Sequence, residues 1–285
     1  MAAIYWYDHE GNGDFDDVAG NFNANVGVDG AHVAPAADSV LLFDDHYSGN
    51  ACNVDADATV AAMQMAVTTY AGVFTIENAV TLTDSGYLET GVGSTWIVTG
   101  ALVVGAGIEI RGAMTGAGPI TVGGELRWTA SSEWSTYSGT LTWNGAGDVP
   151  LMPESATCPG LVVNGTGSLT VGYAGGKVGQ LTMTAGTFGL GTYTLTVDGL
   201  TGTGGTVNLG TGTLVTSGTV DFNGITVTAG DLAWITGGGT VQGLTLSAGV
   251  VMAAGCVDGG GNSANVLFDV PNRRGLHIGG PAGVH

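Results

Sequence analysis

Basic residues are scarce in this chain. Of its 285 residues only five are Lys or Arg, against 24 Asp or Glu, which gives a formal net charge of −19. A surface of this sign repels the phosphate backbone of nucleic acids and the headgroups of anionic lipids. We therefore predict binding to neither nucleic acid nor membranes, and we expect partners among cations, neutral glycans and other proteins.

Long hydrophobic runs are also missing. No window approaches 18 continuous apolar residues, and the N-terminal stretch "MAAIYWYDHEGNGD" has neither the basic region nor the apolar region of a secretory signal. With Met1 as the native start, the sequence predicts a protein that is made in the cytosol and released there.

The motifs of common enzymes are absent too. The sequence has no Gly-x-Ser-x-Gly, no phosphate loop with Gly-Lys-Ser/Thr and no glycine fingerprint followed by a helix. The five histidines never occur at metal-ligand spacing, which argues against zinc. Carboxylate pairs of the kind that glycosidases use occur at Asp44/Asp45 and Asp55/Asp57, and we interpret them as acidic turns next to strands. We predict no catalytic residues and no enzymatic activity.

Glycine dominates what is present. The chain contains 53 Gly and is 44% hydrophobic, so it is too apolar to be disordered. Between about residues 59 and 255 a phrase of alternating apolar and Thr or Ser positions returns, closed by Gly. Its copies are "GALVVGAG" from Gly100, "GTLTWNGAG" from Gly139, "GLVVNGTG" from Gly160, "GQLTMTAG" from Gly179, "GITVTAG" from Gly224 and "GLTLSAG" from Gly243. From Gly139 onward the copies begin 21, 19, 45 and 19 residues apart, which we interpret as one or two units of roughly 20 residues.

The phrase itself has the alternation of a β-strand with Gly at the corners. One unit cannot bury its apolar face alone, but units stacked strand on strand form a continuous narrow core. The sequence therefore predicts an all-β fold, a single-stranded β-solenoid (β-helix). We expect three short strands and three corners per turn, and roughly nine or ten turns. A β-sandwich or jelly roll is the alternative.

The three cysteines fit a stacked fold without disulfides. Cys52, Cys158 and Cys256 are about a hundred residues apart, hence several turns apart, whereas a disulfide needs Cα atoms within about 7 Å. We predict buried free thiols and no Cys158–Cys256 bridge. A non-reducing mass measurement with two protons missing would contradict this.

Two outward patterns in the repeats have functional alternatives. The Thr-x-Thr pairs resemble the rows of ice-binding solenoids, although the row is broken and the β-preference of Thr also explains it. These pairs are Thr140/Thr142, Thr182/Thr184, Thr194/Thr196, Thr226/Thr228 and the related Thr245/Ser247. Tryptophans facing outward on adjacent turns would form a sugar-stacking strip, but packing in the core is their commoner role. These are Trp96, Trp128, Trp134, Trp143 and Trp234.

The two ends differ from the repeats. We predict an N-terminal cap or attachment segment (1–58), a solenoid domain (59–255) and a C-terminal cap and tail (256–285). The first segment contains an incomplete calcium loop whose twelfth position is Ala19 instead of Glu. Its candidate calcium ligands are Asp8, Glu10, Asn12, Asp14 and Asp16. In the tail, Arg273 and Arg274 are the candidate residues for binding an acidic partner.

The ends also carry a resemblance. The phrases "GNGDFDDVAGNF", "APAADSVLLFDD" and "ACNVDADATVAAMQM", with the closing "CVDGGGNSANVLFDV", resemble Gly/Thr-rich β-solenoid proteins of phage virions and bacterial surface adhesins. The resemblance implies a non-enzymatic structural or adhesive role. Because adhesins need export and no signal is visible, we favour a virion protein that is assembled in the host cytoplasm. It would serve as capsid decoration or as a head or tail fibre.

The partners that this resemblance implies are capsid or tail subunits and a host-surface glycan, with homo-oligomerisation, for example as a trimer, as a further expectation. No cofactor is expected apart from the calcium considered above. Two alternatives stay open. One is a glycan-degrading, tailspike-like β-helix enzyme, and the other is a secreted adhesin or ice-binding solenoid.

Overall fold

A computed structural model shows the described part of the chain as short, mainly parallel β-strands joined by turns and bends. The described residues are 3–6, 22–23, 36–43, 52–55, 57–65, 72–83, 86–129, 132–154, 157–269 and 276–278. They contain strands, turns and bends but no helix, so within these ranges no helical segment is suited to crossing a membrane. The chain forms two compact units, Met1–Thr142 and Trp143–His285.

The first unit is built from short strands. They are β1 (Ala3–Trp6), β2 (Phe22–Asn23), β3 (Val40–Phe43), β4 (Cys52–Val54), β5 (Ala58–Val60), β6 (Ala62–Met65), β7 (Val73–Ile76), β8 (Val80–Leu82), β9 (Tyr87–Glu89), β10 (Thr95–Val98), β11 (Leu102–Val104), β12 (Gly107–Ile110), β13 (Ala113–Gly116), β14 (Ile120–Val122), β15 (Glu125–Trp128), β16 (Glu133–Tyr137) and β17 (Leu141–Trp143), which ends one residue into the second unit.

These strands make three parallel sheets, one on each side of the coil. The first sheet contains β3, β6, β9, β12 and β15, with β1 joined to β3; the second contains β4, β7, β10, β13 and β16; and the third contains β5, β8, β11 and β14. A strand pairs with the equivalent strand of the next turn, as Trp96 on β10 pairs with Met114 on β13. The prediction of three strands and three corners per turn is confirmed in this unit.

The second unit is also built from strands with apolar side chains inward, and some of its strands are longer. They are β18 (Asp148–Pro153), β19 (Thr157–Val163), β20 (Ser168–Val171), β21 (Gly176–Met183), β22 (Thr187–Gly189), β23 (Thr194–Gly202), β24 (Thr206–Asn208), β25 (Thr213–Thr216), β26 (Thr219–Asp221), β27 (Thr226–Thr228), β28 (Ala233–Thr236), β29 (Thr240–Gln242), β30 (Val251–Ala254), β31 (Val257–Gly260), β32 (Val266–Asp269) and β33 (Leu276–Ile278).

In this unit β18, β20, β22, β24 and β27 pair side by side in what we call the short-strand sheet. The others form a long-strand sheet in the order β19, β21, β23, β25, β28, β30, β32 and β33, with β26, β29 and β31 as a branch that starts at β23. Thr187, Thr206 and Thr226 occupy equivalent positions on three successive strands of the short-strand sheet. The predicted β-solenoid is confirmed, with about ten turns in the two units together.

The core consists of inward side chains that repeat once per turn. In the short-strand sheet Leu169, Phe188, Val207 and Val227 lie in register on successive strands, and each is at most 3% exposed. The residues that alternate with them are mostly Thr, Ser or Asn and face outward. Stacking therefore supplies the burial that a single turn of short strands cannot provide.

One part of the repeat alignment was wrong. The phrases from Gly179 and Gly224 do not occupy equivalent positions, because Leu181 pairs with Leu200 in the long-strand sheet, whereas Val227 pairs with Val207 in the short-strand sheet. The phrase from Gly243 matches that from Gly224 through the bridge of Val227 with Leu246. A short alternating segment bounded by Gly can form a strand in any sheet of the coil, so the phrase alone does not show to which sheet it belongs.

The cysteine prediction is confirmed. Cys52, Cys158 and Cys256 are all buried, and none of the three forms a disulfide. Complete burial raises the pKa of the Cys158 thiol to about 12, even though its contact with Gly160 favours the thiolate. Cys158 therefore stays protonated at neutral pH and packs as a small apolar side chain.

Polar side chains complete the last turns of the second unit. Asn262 is 7% exposed; its Oδ1 accepts the N–H of Leu244 at 3.0 Å, and its Nδ2 donates to the carbonyl of Val241 at 3.0 Å. Next to it, the Ser263 hydroxyl accepts the N–H of Leu246 at 3.2 Å. These side chains satisfy backbone groups where no strand lies alongside.

Replacing Asn262 with alanine is expected to lower the free energy of unfolding by about 2–3 kcal/mol, because two buried backbone groups lose their partners. Denaturant unfolding followed by tryptophan fluorescence measures this. The control is Asn223→Ala, at an exposed asparagine whose side-chain amide donates to the nearby Asp221 carboxylate, and it should change the free energy by less than about 0.5 kcal/mol. Equal effects of the two changes would contradict the role of Asn262.

Candidate functional site

Charged side chains gather on the outward face of the first sheet of the first unit. On β9, β12 and β15, Leu88, Ile108 and Leu126 point inward, so their neighbours point outward. One outward row contains Tyr87, Gly107 and Glu125, and the next contains Glu89, Glu109 and Arg127. Arg111 follows β12 directly. We call Glu89, Glu109, Arg111, Glu125 and Arg127 the Glu–Arg cluster.

Ion pairs hold the cluster together. The Arg111 guanidinium donates Nη1 to Glu89 Oε1, and its Nη2 and Nε lie 2.9 Å and 3.0 Å from Glu109 Oε1. Arg127 Nε lies 3.4 Å from the same Glu109 oxygen. One carboxylate is thus shared by two guanidinium groups from different turns.

Glu109 is buried for a charged residue, with 6% exposure. A carboxylate at such a position is stable only when it is paired, and the two guanidinium groups meet that need. The backbone next to it is also fixed, because the N–H of Arg111 donates to the Thr90 hydroxyl at 2.8 Å and Thr90 N–H donates to the Glu109 carbonyl at 3.0 Å. The cluster is therefore held in place before any ligand arrives.

Tyr87 lies across Gly107 in the neighbouring row. A Cβ atom placed on Gly107 would meet Cε2 of the Tyr87 ring at 2.9 Å and Cδ2 at 3.1 Å. The ring edge therefore occupies the space that any larger side chain at 107 would need. Partial burial, and then the negative charges of Glu109, Glu125 and Glu89, raise the pKa of the Tyr87 hydroxyl to about 12. The phenol stays protonated at neutral pH and is a hydrogen-bond donor.

Several predicted site residues cannot be compared with this cluster, since they belong to parts of the chain that the structure does not describe. The calcium-loop candidates Asp8, Glu10, Asn12, Asp14 and Asp16, the tail residues Arg273 and Arg274, and the acidic pair Asp44 and Asp45 all lie outside the described residues. Within the described ranges, no group of three or more His, Cys, Asp or Glu side chains is arranged to hold a metal ion.

The second acidic pair lies at a turn, as interpreted. The Asp57 carboxylate accepts the N–H of Ala79 at 3.0 Å, and the Asp55 carbonyl accepts the Asn78 side-chain amide. Both contacts tie one turn of the coil to the next. These groups therefore stabilise a corner of the first unit.

The five tryptophans of the repeat region divide into four buried rings and one exposed ring. Trp96, Trp128, Trp134 and Trp143 are at most 3% exposed, whereas Trp234 is 37% exposed. These five tryptophans do not form a strip, because the solenoid packs four of the rings inward. In the first unit Trp134 packs edge-on against Trp128 and Tyr137, with ring centroids 6.0 Å and 5.6 Å apart.

The Thr-x-Thr pairs do not form one row. Thr194/Thr196 lie on the long-strand sheet, whereas Thr226/Thr228 lie on the short-strand sheet. On the short-strand sheet, however, the structure reveals a face that the sequence phrases did not show. Its outward positions on four successive strands are Ser168/Thr170, Thr187/Gly189, Thr206/Asn208 and Thr226/Thr228. We call this the Thr face, and it contains no charged side chain.

The Glu–Arg cluster was missed in the sequence. Its members come from "YLE", "GIEIR" and "ELRW", which do not contain the repeated phrase and are unevenly spaced along the chain. The available signal was the outward alternation of Glu and Arg around Leu88, Ile108 and Leu126. Two of the five basic residues of the chain also fall within this short region.

Comparisons with protein-family models, with curated proteins and with solved structures found no match to this chain. Function is therefore argued from the geometry of the two units and their side chains.

Proposed function

We propose that this chain is a non-enzymatic structural protein of a phage virion, exposed on the particle surface as capsid decoration or as a head or tail fibre. It would attach to other virion proteins and adhere to a host-surface glycan. One observation carries the proposal. In the described residues, each turn stacks on the next with its apolar side chains inward and its small polar side chains outward. Such a repeat is a rigid spacer that exposes long faces to partners.

The arrangement of the Glu–Arg cluster favours binding over cleavage. A glycan-cleaving β-helix needs one carboxylic acid to give a proton and one free carboxylate to act as base or nucleophile. Glu109 instead shares its oxygen with Arg111 and Arg127, and Glu89 is paired with Arg111. Carboxylates paired in this way are poorly placed to act as the free base or nucleophile of a cleavage reaction.

The terminal strands favour attachment through the ends. β1 pairs with β2 and β32 pairs with β33, and both pairs are antiparallel, unlike the parallel stacking of the turns. Antiparallel end strands interrupt the repeat and discourage edge-to-edge addition of further copies. The segments 1–58 and 256–285 are the proposed contacts with other virion subunits, and Arg273 and Arg274 are the proposed anchor to an acidic neighbour.

Mass spectrometry of purified virions from the source tests this proposal. Hundreds of copies per particle would indicate decoration or shell, and a few copies would indicate a fibre. Absence of the chain from the particles would refute the virion assignment. Replacing both Arg273 and Arg274 with Glu should reduce incorporation, and unchanged incorporation would refute the proposed anchor.

The Thr face favours one second candidate, ice binding. Along a strand, outward residues are two positions and about 7 Å apart. Across the sheet, equivalent residues of neighbouring strands are about 4.8 Å apart. Thr187 and Thr206 are half-buried and Thr226 is exposed, so the side chains of this face lie at the surface of the solenoid. Thermal hysteresis that disappears on Thr206→Lys would support this function, and absence of hysteresis would refute it.

A further inference from the structure

We propose that Tyr87 and the Glu–Arg cluster form a binding site for a pyranose ring of a neutral glycan. The inference deepens the adhesive part of the proposed function by assigning it a site and a ligand class. It does not depend on the chain being in a virion. Three features support this site: the placement of the Tyr87 ring, the fixed polar groups around it and the charge of the surface.

The Tyr87 ring supplies the platform. Its Cδ2–Cε2 edge lies over Gly107, within the space of an absent side chain, so the ring is supported by the backbone of the next strand. Tyr87 is only half-buried, and its remaining surface faces solvent. An aromatic ring placed in this way offers apolar area to the C–H groups of a sugar and a phenol to its hydroxyls.

The cluster supplies polar groups around that platform. Glu125 follows Gly107 in the row of Tyr87, and in the adjacent row the partly exposed Glu89 and Arg127 lie on either side of the buried Glu109, which positions the arginines. Carboxylates accept and guanidinium groups donate several hydrogen bonds each in fixed directions, which suits neighbouring sugar hydroxyls. Because Arg111 already fixes Glu89 and Glu109, little side-chain entropy is lost on binding.

The charge of the site selects a neutral ligand. Three carboxylates outnumber two guanidinium groups within the cluster, and the whole chain has a formal net charge of −19. Uronic acids, sulfated glycans and phosphates are therefore repelled. A cation is also disfavoured, because the carboxylates nearest the arginines are already paired. Neutral hexoses and N-acetylhexosamines carry neither a negative nor a positive charge and are therefore the expected ligands.

The test is isothermal titration of the full chain with malto-, cello-, manno- and chito-oligosaccharides, with oligogalacturonate as the anionic comparison. We expect binding to at least one neutral series and none to oligogalacturonate. Tyr87→Ala should weaken that binding about tenfold or more, because it removes the platform. Tyr87→Phe keeps the ring and should weaken it less. Gly107→Ala should also weaken binding, because the new Cβ displaces the ring.

The control is Tyr193→Ala, which changes a 38% exposed tyrosine of the second unit and should leave affinity unchanged. Absence of binding to every neutral series would overturn the inference, as would equal affinity of the wild type and Tyr87→Ala. Either result would leave the virion assignment untouched, because particle mass spectrometry decides that separately. Conversely, absence of the chain from virions combined with Tyr87-dependent binding would retain the glycan site and refute only the assigned location.

Discussion

Replacing Gly124 with alanine is expected to lower the free energy of unfolding by about 4 kcal/mol or more. Gly124 lies at the corner between β14 and β15 of the first unit. A Cβ atom there would overlap both the carbonyl oxygen and the carbonyl carbon of Ala106. No rotation of a side chain relieves this overlap, because both partners are backbone, so the strands on either side must separate.

The separation would affect more than one corner. The neighbouring Gly123 donates its N–H to the Val104 carbonyl at 2.8 Å, and Ala106 donates to the Gly86 carbonyl at 2.8 Å. These bonds join three successive turns, so moving the backbone at 124 weakens contacts on both sides. Stability of a stacked repeat depends on such contacts between neighbours.

Gly147→Ala is the matched control for this prediction. Gly147 is exposed, its backbone angle is not in the left-handed region, and a Cβ there meets nothing within 4 Å. The change should be neutral or raise stability by about 0.4–1 kcal/mol, since alanine restricts the unfolded chain. Chemical denaturation of both variants against the wild type, followed by tryptophan fluorescence and circular dichroism, makes the comparison. Similar stabilities of the two variants would contradict the close approach at Gly124.

Much of the fold could be predicted because it follows from local chemistry. Alternation such as that of Leu181 and Met183 with Thr182 specifies a strand, Gly permits the corners, and regular recurrence of the phrase specifies stacking. These properties hold at every turn, so one misread copy does not change the conclusion. The same redundancy caused the error in alignment, because the phrases from Gly179 and Gly224 have the same local chemistry on different sides of the coil.

The candidate site could not be predicted in the same way. Tyr87, Glu109 and Arg127 come together only when β9, β12 and β15 are placed in register, and the spacing of equivalent residues on these strands is not constant from turn to turn. The position of the Tyr87 ring depends on the absence of a Cβ at Gly107, which in the sequence is only the closing glycine of the phrase from Gly100. Sequence alternation assigns these residues to the outward face but does not identify their neighbours.

An aromatic pair lies in the core of the first unit. Trp96 on β10 is fully buried and stacks on Phe74 of β7, with ring centroids 4.3 Å apart and an interplanar angle of 22°. Phe74 in turn lies in register with Cys52, and Trp96 with Met114, so one inward row passes through four turns. Trp96→Ala should therefore lower the free energy of unfolding by about 3–5 kcal/mol through lost burial and a cavity.

Trp96→Phe separates the contribution of the ring from that of the indole N–H. Within the described part of the chain, Trp96 Nε1 is buried and has no hydrogen-bond acceptor, which is a cost to the folded state. Phenylalanine keeps an aromatic partner for Phe74 and removes that unpaired donor, so we expect less than half of the loss caused by alanine. Denaturant unfolding of the two variants measures the difference. Trp96→Phe keeps an aromatic ring at this position and Trp96→Ala does not. If both variants lowered the free energy of unfolding equally, stacking on Phe74 would not be what stabilises this row.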